Sequence, residues 1–242
     1  MTGFPGEASE PMIFRQLFEP DSSTYTYLLG CPQTGAAVLI DPVLETAERD
    51  FEAVRALGLT LAWTVETHVH ADHVTAAARL RSLSGCRIAF PAGEEIAGAD
   101  AYLSELQGLE FGAVALQPLY TPGHTDNHHC YLAGGRVFTG DALLIDGCGR
   151  TDFQGGCAAT LYRSVHAKLF TLPDETLVYP AHDYRGREVS SVGQERARNS
   201  RLGGERTEAE FIEIMAALGL PYPAKIDVAV PANRMCGTIP ES

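Results

Sequence analysis

Thr67-His68-Val69-His70-Ala71-Asp72-His73 puts three histidines and a carboxylate into one short turn. The turn follows Leu61–Val65, an apolar run that reads as a buried strand. A packed core has no use for that density of imidazole. A strand end feeding a tight His-x-His-x-Asp-His turn aims several nitrogens and an oxygen at one point, which is what a metal ion requires. The stretch therefore reads as a metal-binding loop.

Composition narrows what surrounds that loop. The chain has 242 residues, 45% of them hydrophobic, enough for one sizeable core. Its 18 basic and 31 acidic side chains give a net charge of −13, which argues against nucleic-acid binding. An anionic substrate would need arginines placed locally against that field. No apolar run approaches the roughly 18 residues of a membrane span, so no membrane partner is expected. Met1–Glu10 has no basic residue and lacks the pattern of a secretory or transit segment, so a cytoplasmic, bacterial protein is expected. The six cysteines form no Cys-x-x-Cys pair and read as reduced, mostly buried thiols.

Upstream of the loop, residues 1–10 read as a mobile tail. Met12–Phe18, Tyr25–Leu29 and Ala37–Ile40 read as an antiparallel meander broken by turn residues. Asp41-Pro42 ends its third strand, and residues 46–57 read as a helix closed by Gly58. Downstream, residues 73–83 read as a helix and Ile88–Phe90 as a strand. Leu109–Leu119 reads as two strands, and Cys130–Leu132 with Arg136–Thr139 as a hairpin across Gly134-Gly135. Residues 158–169 read as a helix, Leu177–Tyr179 as a strand, and residues 190–200 as a polar helix. Thr207-x-x-Glu210 is a capping box, and the proline-rich tail from Leu220 is expected to wrap the surface in extended form. With no repeat or linker, residues 1–242 read as a single domain in which 190–242 form a C-terminal extension packed on the rest.

Ligand-type residues recur at strand ends: His68, His70, Asp72 and His73 together, then His124, Asp141 and His182. Thr67–His73, Thr121–His124, Gly140-Asp141, Gly147–Arg150 and His182 resemble, in order and kind, the metallo-β-lactamase superfamily over nearly the whole chain. The resemblance implies an α/β fold, the metallo-β-lactamase αββα sandwich of two mixed β-sheets flanked by helices. It leaves two chemistries open. In a binuclear hydrolase, His68, His70 and His124 would hold one metal and Asp72, His73 and His182 another, with Asp141 bridging and water activated as hydroxide. In a mononuclear enzyme, His68, His124 and Asp141 would form a two-histidine, one-carboxylate triad suited to Fe(II), O2 and a thiolate.

The flanking residues are more specific. Phe138-Thr-Gly-Asp-Ala-Leu-Leu-Ile145, Gly147-Cys-Gly-Arg-Thr-Asp-Phe-Gln154, Pro180-Ala-His-Asp-Tyr184 and Val230-Pro-Ala-Asn-Arg-Met-Cys-Gly237 closely resemble the persulfide dioxygenases, or sulfur dioxygenases. That resemblance implies one Fe(II) per chain held by His68, His124 and Asp141. His70, Asp72, His73, His182 and Asp183 would orient those ligands from outside. It places Arg201, Tyr184 and Cys236 near the substrate, and Arg150 and Thr125 as braces of the surrounding loops. Glutathione persulfide and O2 would be the substrates, sulfite and glutathione the products, within sulfide catabolism. It also implies a homo-oligomer, a dimer in the first instance. Gly147-Cys-Gly-Arg150 is shared with glyoxalase II, so the alternative is a binuclear hydrolase of S-acylglutathione thioesters. A metal-binding module without catalysis would have lost ligands, and none is missing. One departure from the family pattern is Asp126-Asn127-His128-His129 after His124; both histidines are expected to support the site or lie on the surface.

Overall fold

The computed structural model describes residues 12–239; the tail expected over residues 1–10 lies outside them. β1 (Ile13–Glu19), β2 (Thr24–Gly30) and β3 (Ala36–Ile40) form the expected antiparallel meander. α1 (Ala47–Ala56) then crosses to β4 (Thr60–Val65), and α2 (Ala77–Ser84) to β5 (Arg87–Pro91). β6 (Ala101–Leu103), not expected from the sequence, follows, and β3 to β6 run parallel. β7 (Leu109–Phe111), β8 (Val114–Tyr120), β9 (His129–Ala133) and β10 (Arg136–Gly140) make a second antiparallel meander. α3 (Ala158–Ser164), continued by a π-helical stretch over Val165–Leu169, crosses to β11 (Leu177–Pro180), which lies parallel to β10. β12 (Ser190–Ser191) closes that sheet, and α4 (Val192–Arg198), α5 (Glu208–Ala216) and α6 (Ile226–Asn233) follow.

Two six-stranded mixed sheets result. Their facing sides share one core, in which Tyr25, Tyr27, Leu29, Val38 and Ile40 meet Tyr131, Phe138 and Tyr179. The alternate residues of β2 and β3, Leu28, Ala37 and Leu39, point outward against α1 and α2, where Val54 and Leu80 cover them. On the far side, Val137 and Val178 pack under Leu161, Val165 and Phe211. Both faces of each central strand are thus covered, which explains why these strands read as unbroken apolar runs. Each fully buried aliphatic side chain contributes about 1.5–3 kcal/mol. This is the four-layer αββα sandwich that the family resemblance implies. No helix among the described residues is long and apolar enough to cross a membrane.

Several expected elements take a different form. The helix expected over residues 73–83 begins at Ala77, because the preceding backbone bonds elsewhere: Thr75 N–H to Asn233 and Ala76 N–H to the carbonyl of Pro42. Within the helix expected over residues 190–200, Ser190–Ser191 pairs with β11, and the Ser191 hydroxyl caps α4 by accepting from Gln194 N–H. The tail expected to be extended is helical over Ile226–Asn233 despite Pro231. That proline costs the helix a hydrogen bond, but burial of Ala229, Ala232 and Asn233 against the rest of the fold offsets it. The capping box forms as expected, with Thr207 and Glu210 bonded reciprocally.

Candidate metal centre

The ligand-type side chains leave from the C-terminal ends of β4, β8, β10 and β11, so both sheets deliver them to one edge of the sandwich. There His68, His124 and Asp141 bring one donor atom each to within 4.8 Å of one another. His70, Asp72 and His73 form a second such group beside them. The rings crowd together, tilted against one another, with centroids 4.1 Å apart for His68–His70 and 4.3 Å for His70–His73.

Hydrogen bonds decide which nitrogen each ring offers. His124 Nδ1 lies 2.7 Å from the carbonyl of Arg150, which can only accept, so Nε2 is left with its lone pair. The Thr67 hydroxyl donates to Asp41 and must therefore accept from His68 Nδ1, freeing His68 Nε2 in the same way. Burial and the surrounding imidazoles push the His68 pKa well down, which keeps it a neutral ligand. His182 turns Nδ1 toward the carbonyl of Ser23, and its Nε2 lies 3.5 Å from both Asp72 and Asp141. His70 Nε2 sits between Asp41 at 3.1 Å and Glu66 at 3.4 Å. Burial opposes charge on that ring, but the two carboxylates hold its pKa well above the usual range.

The donor set fits a metal. His70 Nδ1, His73 Nε2 and Asp141 Oδ1 are buried without a hydrogen-bond partner among the described residues. Buried polar atoms are rarely left so unless something outside the polypeptide meets them. Glycines keep the centre tight: a Cβ on Gly149 would stand 2.7 Å from the carbonyl of Asp141 and 2.8 Å from His124 Nδ1.

A cleft of about 630 Å³ opens over the centre, lined by Asp72, His124, Asp141 and His182 on its metal side. Arg150, Tyr184, Arg185, Arg187 and Arg201 line the remainder with residues 220–224. Tyr184 is 74% exposed and its ring lies parallel to His182, 6.1 Å away. Arg201 bonds through its guanidinium to the carbonyl of Cys148 and has no ion pair among the described residues. Arg187 is paired with Asp183, and Arg150 with Asp152. Arg150 also donates to the carbonyl of Pro221, tying the loop behind His124 to the cleft wall. Thr125 lies outside the cleft; its carbonyl accepts from Gly123 N–H and its hydroxyl bonds Asn127, shaping the turn that carries His124.

Cys236, expected near the substrate, is not among the residues that line this cleft. It is buried behind the metal loop among Val69, Ala77, Ile88, Phe90 and Ile96, with Sγ donating to the carbonyl of Ala97. From α6, Val230 packs against this cluster, and Ala229 and Ala232 pack with Val74. Cys157 is exposed, unlike the other five cysteines. His128 and His129 are both buried, which excludes a surface role. His128 Nε2 accepts from Asp141 N–H and its ring lies 5.2 Å from that of His68.

Asp41, Glu66 and Asn233 support the centre without having stood out in the sequence. Asp41 adopts φ +51° at the end of β3, which turns its carboxylate onto Thr67 and His70. An available signal was a carboxylate appended to an apolar strand, at Ile40-Asp41 and Val65-Glu66, since buried acids require partners.

The fold, the ligand-bearing ends of four strands and the converging donor set define a metal-binding scaffold of two sheets flanked by helices. The family model of the metallo-beta-lactamase superfamily matches residues 20–182, and the chain belongs to that superfamily. The mitochondrial persulfide dioxygenase ETHE1 of Mus musculus is 53% identical over 232 residues, covering 94% of this chain and 89% of that one. The crystal structure of ETHE1 from Myxococcus xanthus is 52% identical and superimposes with a TM-score of 0.91, covering 94% of this chain and 100% of that chain. Within the superfamily, the chain is a member of the persulfide dioxygenase family. A hydroxyacylglutathione hydrolase of Polaromonas sp. is more distant, at 36% identity over 166 residues, covering 66% of this chain and 62% of that one.

Proposed function

We propose that this chain oxidises glutathione persulfide with O2 to sulfite and glutathione, using one Fe(II) held by His68, His124 and Asp141. The observation that carries the reading is its likeness to persulfide dioxygenases over nearly the whole chain, together with three donors converging beneath an arginine-lined cleft. Fe(II) bound there would supply a redox centre with open positions for O2 and a sulfur anion.

The protein's part is positioning. The carbonyl of Arg150 and the Thr67 hydroxyl hold His124 and His68 in the tautomers that offer Nε2. His128 fixes the backbone of Asp141. Arg201, unpaired with any carboxylate among the described residues, and the exposed Arg185 suit the carboxylates of glutathione. Tyr184 forms the rim beside His182. Asp72, reached by His73 and His182, presents a carboxylate on the cleft wall whose charge those rings maintain against burial. Cys236, behind the loop, supports packing in this reading. We further propose that residues 1–242 act as one domain, that the chain associates as a homodimer, and that it works in the bacterial cytoplasm, where its six free thiols stay reduced.

The test is oxygen consumption by the Fe(II)-loaded protein. Adding glutathione persulfide should consume O2 and release sulfite. The second donor group, His70, Asp72 and His73, favours a runner-up, the binuclear hydrolase of S-acylglutathione thioesters. No O2 uptake, two metal ions per chain and oxygen-independent turnover of S-lactoylglutathione would replace the first reading with the second.

A further inference from the structure

The metal loop is held from behind by a residue 160 positions further along the chain. Asn233, at the end of α6, is 1% exposed. Its side chain makes three hydrogen bonds, all to the backbone of the loop. Nδ2 donates to the carbonyls of His70 and His73, each at 2.9 Å. Oδ1 accepts from Thr75 N–H at 2.8 Å. All the bonding capacity shown is thus spent on one loop segment. No other side chain among the described residues bridges those two carbonyls. They flank Ala71-Asp72, the part of the loop that enters the cleft.

The contact continues into the site. The Thr75 hydroxyl donates to Glu66 Oε1 at 2.5 Å, and Glu66 Oε2 faces His70 Nε2. Asn233, Thr75, Glu66 and His70 therefore close a ring around the base of the loop. Two flanking bonds seat the residues just after α6 on the same region: Ala78 N–H to the carbonyl of Cys236, and Ala97 N–H to the carbonyl of Arg234. The start of the same segment, residues 220–224, forms a wall of the cleft.

We propose that Asn233 is a positioning residue of the metal centre, and that the C-terminal segment is therefore part of the site. By fixing the carbonyls of His70 and His73, it sets the path of the loop between them. That path sets the direction in which His70, Asp72 and His73 enter the centre, and the His70 ring, 4.1 Å from that of His68, carries it to the triad. Without its two donors the loop has buried carbonyls to satisfy by moving, and the donor geometry relaxes with it.

The inference rests on the site being a metal centre, not on the persulfide reaction. It is tested by anaerobic titration of the demetallated full-length chain with Fe(II), alongside thermal unfolding of the metal-free protein. Asn233→Ala removes all three bonds. Asn233→Asp keeps the volume and the acceptor for Thr75 but removes both donors. Ala229→Gly weakens α6 at a buried position without touching the loop bonds, and serves as the control for general destabilisation. Both Asn233 variants should bind Fe(II) about 10- to 100-fold more weakly, while Ala229→Gly binds as wild type. Wild-type affinity in whichever Asn233 variant folds, or an equal loss in Ala229→Gly, would overturn the proposal. Failure of the wild-type chain itself to bind Fe(II) would overturn the metal-centre reading and the positioning role with it.

Discussion

Thr67 is bonded twice to Asp41: its N–H reaches Oδ1 at 2.7 Å and its hydroxyl reaches Oδ2 at 2.8 Å. The hydroxyl proton is thereby committed, and Thr67 Oγ1 accepts from His68 Nδ1 at 2.9 Å. A carboxylate just beyond β3 thus selects the tautomer of a histidine beyond β4. Thr67→Val, close in volume, removes this relay. It should fold and bind Fe(II) about 10- to 100-fold more weakly, as read by titration of the metal-free protein. Unchanged affinity would show that His68 finds its tautomer unaided.

His68 and His73 separate the two candidate chemistries. His68→Ala should abolish both bound metal and activity. His73→Ala should only weaken a mononuclear dioxygenase, but should eliminate a binuclear hydrolase. Metal analysis of both variants beside O2 uptake distinguishes these outcomes.

Arg201 offers a guanidinium bonded to the carbonyl of Cys148, with no carboxylate partner among the described residues. A charge-assisted bond to substrate is worth about 1.5–3 kcal/mol. Arg201→Ala should therefore raise KM for glutathione persulfide about tenfold or more, with a smaller effect on kcat. A fall in kcat at constant KM would place its action in the reaction step instead.

Gly140 precedes Asp141 with φ +49°, and a Cβ there would stand 2.5 Å from His128 Nε2 and 2.7 Å from Thr67 Oγ1. Gly140→Ala combines left-handed backbone strain of about 1–2 kcal/mol with displacement of both groups that support the ligands. Urea unfolding should show at least that loss, and the variant should retain little metal.

Asp183 bears on acid stability. Burial opposes its charge, but the Arg187 side chain and the N–H groups of Arg187 and Arg185 hold its pKa below the usual carboxylate value. A depressed carboxylate stabilises the fold above its unfolded pKa, and that contribution is lost as pH falls through its folded one. Asp183→Asn should therefore cost about 1–3 kcal/mol at neutral pH. The difference from wild type should close as the pH falls through and below the carboxylate range, in unfolding curves measured across acid pH.

Most of the scaffold was legible because its signals are local. The meander of β1 to β3, the hairpin of β9 and β10, and the Thr207 capping box follow from alternation, turn residues and spacing. The late start of α2 was not, because Thr75 and Ala76 bond to Asn233 and Pro42, which lie elsewhere in the chain. Pro231 misled for a related reason: its local penalty is real, and only long-range burial of Ala232 and Asn233 outweighs it. Cys236 shared a family-like tail, but the tail's path carries it behind the loop, and it does not line the cleft.

The sequence by itself determined the chemical inventory: three histidines and an aspartate in one turn, and His124, Asp141 and His182 at further strand ends. Residue type and spacing suffice for that, since a strand end delivers its side chains to a predictable edge. Only the tertiary structure decided which nitrogen each ring presents and which groups hold it. Asp41, Thr67, Glu66 and Asn233 act through hydrogen bonds between segments as much as 163 residues apart. Directional bonds of that kind exist only once both sheets and the C-terminal helix are packed, and no local pattern encodes them.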